Sequence, residues 1–136
     1  MGLDNGINLR LSKNEVPEDF PSPETLDSFD LNRVKEHGEL EIAYWRKCWG
    51  IRAAIMGVLH MKDDDYEHPV EAEDCPALRR ALMKFLKYDY WEENADSIWE
   101  FEEYFDHMLD IIINLKWLER RLKAHPEETA YFYDSY

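Results

Sequence analysis

Basic residues are scarce in this chain. Sixteen Lys and Arg stand against thirty Asp and Glu, a formal charge of −14 over 136 residues. That imbalance excludes a plain nucleic-acid binder, which needs a basic footprint on the phosphates. Cysteine is scarce too. Cys48 and Cys75 form neither a CxxC pair nor the Cys/His spacing of a zinc site, so they read as two free thiols in a reducing cytosol. The five glycines fall in no GxGxxG, GxSxG or P-loop arrangement, and His37, His107 and His125 have no Ser or Cys partner in a nucleophile motif. No enzyme is expected, and neither catalytic residue, metal nor cofactor is assigned. Long apolar runs are missing as well. The longest uncharged stretch, Ala53 to Met61, is far below the ~20 residues of a membrane span. The opening segment lacks the basic and apolar regions of a signal peptide, and Gly6 stands where a myristoylation signal has Ser or Thr. A soluble, cytoplasmic protein is expected.

What is present points to a folded core. The chain is 45% hydrophobic and 14% aromatic, too apolar for an acidic disordered tail, and long enough for one domain over residues 1–136. Ile7, Leu9 and Leu11 alternate as in a short strand. Residues 12–30 carry Pro17, Pro21 and Pro23 and read as an irregular connection anchored by Phe20, Leu26 and Phe29. Ser28 or Asp30 can cap a short helix ending at Gly38. The spacing of Leu40, Tyr44, Cys48, Ile51, Ile55 and Val58 predicts one helix from about Glu39 to Met61, with Gly50, Ala54 and Gly57 as a small-residue strip. Residues 62–74 read as a solvated acidic loop. Pro76 fits the first turn of a following helix. A last helix runs from Asp96 or Ser97 to Ala124, its apolar stripe carried by Ile98, Phe101, Phe105, Met108, Ile112, Leu115 and Leu122 and widened by Tyr104, Ile111 and Leu118. The segment Ala130 to Tyr133 is strand-like and able to pair with Ile7–Leu11. The expected fold is mainly α: a bundle of three to four helices, with a short two-stranded β element joining the N- and C-termini.

Two constellations carry chemistry. On a helix, Glu41, Trp45, Trp49 and Arg52 lie at steps of four, four and three and form one ridge. With the neighbouring Arg46, it is able to stack a base and clamp a phosphate. The plainer alternative makes the indoles core and Glu41 and Arg52 a satisfied pair. The second constellation is acidic. Residues 63–74 hold seven acids, and residues 89–110 hold nine with no Lys or Arg. Carboxylates in a row on a stiff helix resemble duplex phosphates and attract a basic groove. Asp63, Asp64, Asp65, Glu100, Glu103, Asp106 and Asp110 are the candidates; ordinary solubility charge is the alternative. Metal readings of His60, Asp64 and His68, or of Asp63, Asp65 and Glu67 as a calcium loop, are weaker than a plain solvated loop.

The opening Met1-Gly2-Leu3-Asp4, the stretch Glu41-Ile42-Ala43-Tyr44-Trp45-Arg46-Lys47 and the closing Tyr131-Phe132-Tyr133-Asp134-Ser135-Tyr136 resemble a group of small phage and prophage proteins. That group opens with Met-Gly-Leu-Asp, carries a Tyr-Trp-Arg-Lys helix and ends in a Phe-Tyr-Tyr-like run. This chain departs at Asn5-Gly6-Ile7, at Cys48-Trp49-Gly50 and at Tyr136. The resemblance implies a phage setting in a bacterial host cell and supplies no reaction. Together with the acidic rows it gives the expected function: a non-enzymatic accessory protein that binds and inhibits a bacterial defence or nucleic-acid-handling protein with a basic surface, in the manner of an anti-CRISPR, an anti-restriction protein or a DNA mimic. The alternatives are a nucleotide-signal binder using Glu41, Trp45, Arg46, Trp49 and Arg52, with a homodimer interface as one setting, or an assembly protein using the aromatic runs Tyr88–Trp91 and Tyr131–Tyr136.

Overall fold

A computed structural model describes residues 3–62, 66–97 and 99–135. It corrects the expected helical bundle. Among the described residues, five α-helices accompany a four-stranded antiparallel sheet, so the fold is mixed α/β. The strands are β1 (Asp4–Arg10), β2 (Glu39–Arg46), β3 (Glu67–Val70) and β4 (Thr129–Ser135), in the order β2-β1-β4-β3. Ile7 lies opposite Ala43 on one side and Phe132 on the other. The pairing of the two ends is as expected; β2 and β3 enlarge it to a sheet.

The helices are α1 (Ser28–His37), α2 (Trp49–Leu59), α3 (Cys75–Met83), α4 (Tyr88–Asn94) and α5 (Phe101–Ala124). Asp27 caps α1 with a reciprocal Asp27/Asp30 capping box, and Gly38 ends it in the left-handed conformation, φ 65°, which glycine adopts without a Cβ penalty. The connection before α1 is tied down by Phe20, whose ring meets Trp117 edge-on at 5.2 Å. Phe29, expected as a further anchor, is exposed instead.

The expected helix from Glu39 to Met61 is two elements. Residues 39–46 form a strand, and only residues 49–59 are helical. Strand β2 carries a bulge at Ile42, where the register against β1 slips between Ile7 and Asn8. A bulge inserts one residue and flips the side-chain phase. Leu40 and Ile42 before the slip and Ala43 and Trp45 after it are therefore all buried, a pattern that a strict period of two does not give. The expected acidic loop also differs. It contains β3, whose Pro69 and Glu67 suit an edge strand, since proline lacks the N–H that a central strand needs. Residues 63–65 lie outside the described residues.

One face of the sheet supplies Ile7, Leu9, Trp45 and Phe132 to the core, and α5 lies against it with Tyr104, Met108, Ile111, Leu115 and Leu118. The helix begins at Phe101, later than expected. The positions read as widening its stripe are the centre of its buried face; Phe105 and Ile112 lie at its margin. Gly50 lets α2 and α4 touch: a Cβ there would fall 1.6 Å from the Asn94 carbonyl oxygen, whereas one at Gly57 meets nothing within 4 Å. Gly50→Ala is therefore expected to cost about 1–3 kcal/mol by overpacking, and Gly57→Ala to gain about 0.5–1 kcal/mol of helix propensity. Urea denaturation checks both; equal effects at the two sites would contradict the close contact.

Candidate protein-binding face

Helix α5 is a 24-residue rod held along one side by the core. A helix of that length is about 36 Å long. Glu100 occupies the position before its first turn, and Glu102 and Glu103 lie in that turn, where the helix dipole favours acids. Glu100, Glu102, Glu103 and Asp106 are exposed and Asp110 is half-buried. Among the described residues no ion pair neutralises any of the five. Burial, with Glu24 and Asp106 close by, raises the Asp110 carboxyl above the usual carboxylate range, opposed by His107. The expected row of Glu100, Glu103, Asp106 and Asp110 thus lies on one stiff element. Asp63, Asp64 and Asp65 lie outside the described residues.

The expected Trp/Arg ridge is not assembled, because the strand and the bulge separate its members. Trp45 is fully buried, with its indole N–H directed at the Met108 sulfur 3.3 Å away. Glu41 is on the opposite face of β2, beside α1. Burial, with Asp30 and Asp27 nearby and Arg33 opposing, pushes its carboxyl up to about 7. Arg46 is exposed at the end of β2. Trp49, 42% exposed, opens α2 with the Arg52 guanidinium 5.5 Å from its ring. Arg52 itself is drawn into the fold: its Nε donates to Asp134 Oδ2 at 2.8 Å, and its Nη2 is ion-paired with the same oxygen at 2.8 Å.

A polar arrangement that the sequence reading missed lies between β2 and α5. Being at the edge of the sheet, β2 has backbone carbonyls with no strand to receive. Asn114 Nδ2 donates to the Ile42 carbonyl at 3.0 Å, and His107 Nε2 donates to the Tyr44 carbonyl at 2.7 Å. Ser22 Oγ in turn donates to Asn114 Oδ1. Burial holds the His107 imidazole below its ordinary range, while its bond to Tyr44 and the nearby Asp110 pull the other way. A cleft of about 100 Å³ runs beside these groups, lined by Glu41, Tyr44, His107 and Asp110. The only sequence signal for it was a His and an Asn at 107 and 114, seven apart on a mostly apolar helix face.

His125, Glu127 and Glu128 come close enough to hold a cation. Their chemistry does not fit one. Both Glu128 oxygens are occupied, by Arg121 at 2.6 and 2.9 Å and by the Ser12 N–H and hydroxyl. Against the effect of burial, these partners pull its carboxyl down to about 2.

No family model, curated protein or solved structure matches the chain. Among the described residues, no helix is long and apolar enough to cross a membrane.

Proposed function

We propose that this protein is a non-enzymatic, phage-type accessory protein whose acidic α5 face binds and inhibits a bacterial defence or nucleic-acid-handling protein with a basic surface. The observation that carries the reading is the uncompensated acid row on α5. Five carboxylates, Glu100, Glu102, Glu103, Asp106 and Asp110, fall within eleven residues. At 1.5 Å per residue they span about 15 Å, a mean axial spacing of ~4 Å against the ~3.4 Å of a single DNA strand. Packing against the sheet holds the row in one orientation, so little order is lost on docking. The phage setting comes from the resemblance at the two ends and at the Tyr-Trp-Arg-Lys segment. A face of this sign accelerates encounter with a basic groove by long-range steering.

The test is displacement. Labelled duplex DNA is bound to each of a panel of purified CRISPR effector nucleases and restriction endonucleases, and this protein is titrated in. Release of the duplex is expected from at least one member, weakening steeply between about 50 and 200 mM salt. It should disappear when Glu100, Glu103 and Asp110 are all reversed to Lys in a variant that keeps its circular dichroism. Release that survives the reversal rejects this face. Failure to release duplex from every member rejects the function.

A further inference from the structure

Helix α5 carries a second pattern, on its solvent side. Glu102, Asp106, Leu109, Ile113, Lys116 and Arg120 are all exposed and follow steps of four, three, four, three and four. Those steps put all six on one stripe of the helix, since five turns of 3.6 residues span the distance from 102 to 120, and a single stripe is what a seam between two helices needs. Leu109 and Ile113, 37% and 52% exposed, put two aliphatic side chains at its centre, where a solvated stripe has polar ones. The ends are charged in blocks, acids at 102 and 106 and bases at 116 and 120. Each block places like charges four residues apart, which disfavours an isolated helix. Among the described residues none of these four charges has an ion-pair partner.

The six positions are symmetric about Ile111. Glu102 and Arg120 lie nine residues to either side of it, Asp106 and Lys116 five, Leu109 and Ile113 two. A two-fold interface places residue i of one copy against residue j of the other, and j against i. Laid antiparallel on itself, this seam sets each Glu102 against Arg120, each Asp106 against Lys116 and each Leu109 against Ile113. Laid parallel, it sets like charge on like. We infer that α5 is a homodimerisation helix, and that the partner covering its solvent face is a second copy of this chain, packed antiparallel about Ile111. The seam from 102 to 120 is about 27 Å long. The net charge of each copy opposes association, but beyond about 8 Å that repulsion is screened at physiological salt while facing charges still attract.

The inference does not rest on the proposed function. Glu100, Glu103 and Asp110 lie off the seam, and their reversal is expected to leave dimerisation intact. Glu102 and Asp106 belong to both surfaces, so a bound basic partner and the second copy compete.

Sedimentation velocity over an about hundredfold range of protein concentration reads the result. Wild-type protein is expected to pass from monomer to dimer. The Lys116→Glu, Arg120→Glu variant makes the seam wholly acidic, and Glu102→Lys, Asp106→Lys makes it wholly basic. Each alone is expected to associate at least about tenfold more weakly than wild type. Mixed in equal amounts they should form a heterodimer, because every facing pair is then opposite in charge. If a four-charge mixture is confounded by a poorly folded variant, Leu109→Asn, Ile113→Asn gives the same readout through the apolar centre. A monomeric wild type at every concentration, variants that dimerise undiminished, or folded variants that fail to associate on mixing would overturn the inference.

Discussion

Replacing Arg52 with alanine is expected to destabilise the protein by about 3–5 kcal/mol, the usual cost of stranding a buried charge. The Asp134 side chain is 1% exposed, and the Arg52 side chain 11%. Asp134 lies on the core face of β4, opposite Asn5 of β1. The guanidinium Nε and Nη2 both converge on Oδ2; among the described residues, the other carboxylate oxygen and the whole Asn5 amide are buried with no hydrogen-bond partner. The site therefore has little in reserve once the guanidinium is gone. Arg52→Met with Asp134→Asn removes both charges and is expected to recover most of the loss, since a neutral pair of similar volume avoids the uncompensated charge. Urea midpoints of the two variants decide it. A single variant as stable as wild type would mean that the pair contributes nothing. The same measurement bears on the nucleotide-binding alternative: a side chain on which the fold depends this strongly has limited freedom to close on a phosphate.

Glu41→Gln is expected to have the next largest effect, and one that depends on pH. The Glu41 carboxyl is held at about 7 against an ordinary 4.5, chiefly by burial and then by Asp30. A folded-state value above the unfolded one means that the native state keeps its proton between 4.5 and 7 while the unfolded state releases it. The stabilisation is complete below 4.5 and is lost as pH rises through 7. The difference corresponds to about 3 kcal/mol at most. Glutamine keeps the shape without the ionisation, so the variant should match wild type near pH 4 and exceed its stability by up to about 3 kcal/mol near pH 8. His107, held low by burial, acts in the opposite sense: its contribution is present above its ordinary 6.5 and falls away as the pH drops. Denaturation of wild type and E41Q across this range separates the two; parallel curves would refute a raised Glu41.

How much of this was legible depended on whether the local signal and the tertiary context agreed. The terminal strands were readable because Ile7-Asn8-Leu9 and Tyr131-Phe132 alternate cleanly and both face a core. Helix α1 was readable from the Ser/Asp run at its start and from Gly38, although its cap is Asp27 and not Ser28 or Asp30, and α5 from its long apolar stripe before Pro126. Strand β2 was not. Its bulge breaks the period of two, and Leu40, Tyr44 and Cys48 then fall by coincidence at helical spacing. Its Ile-Ala-Tyr-Trp composition favours a strand, and that was the signal available against the helix. Strand β3 was hidden by Pro69 and the acids around it, which suit a sheet edge as well as a loop. The Trp/Arg ridge failed with the helix it needed. Glu103, Asp106 and Asp110 share one helix, with Glu100 at its cap, because their spacing depends on α5 alone. The His107 and Asn114 contacts to β2 were beyond reach, since they join residues 63 and 72 positions apart.

The two middle strands of the sheet, β1 and β4, come from opposite ends of the sequence; the Asn8 to Tyr131 bond spans 123 positions. A ribosome makes β1 first and β4 last. Until residues 129–135 leave the exit tunnel, β1 has at most β2 beside it, and its other rim of N–H and C=O groups stays open. Such a rim is a template for the wrong strand, and closing so long a loop is slow. Completion of the sheet thus waits until β4 has been made, and chaperone demand during translation should fall sharply in a circular permutant that makes β4 and β1 back to back.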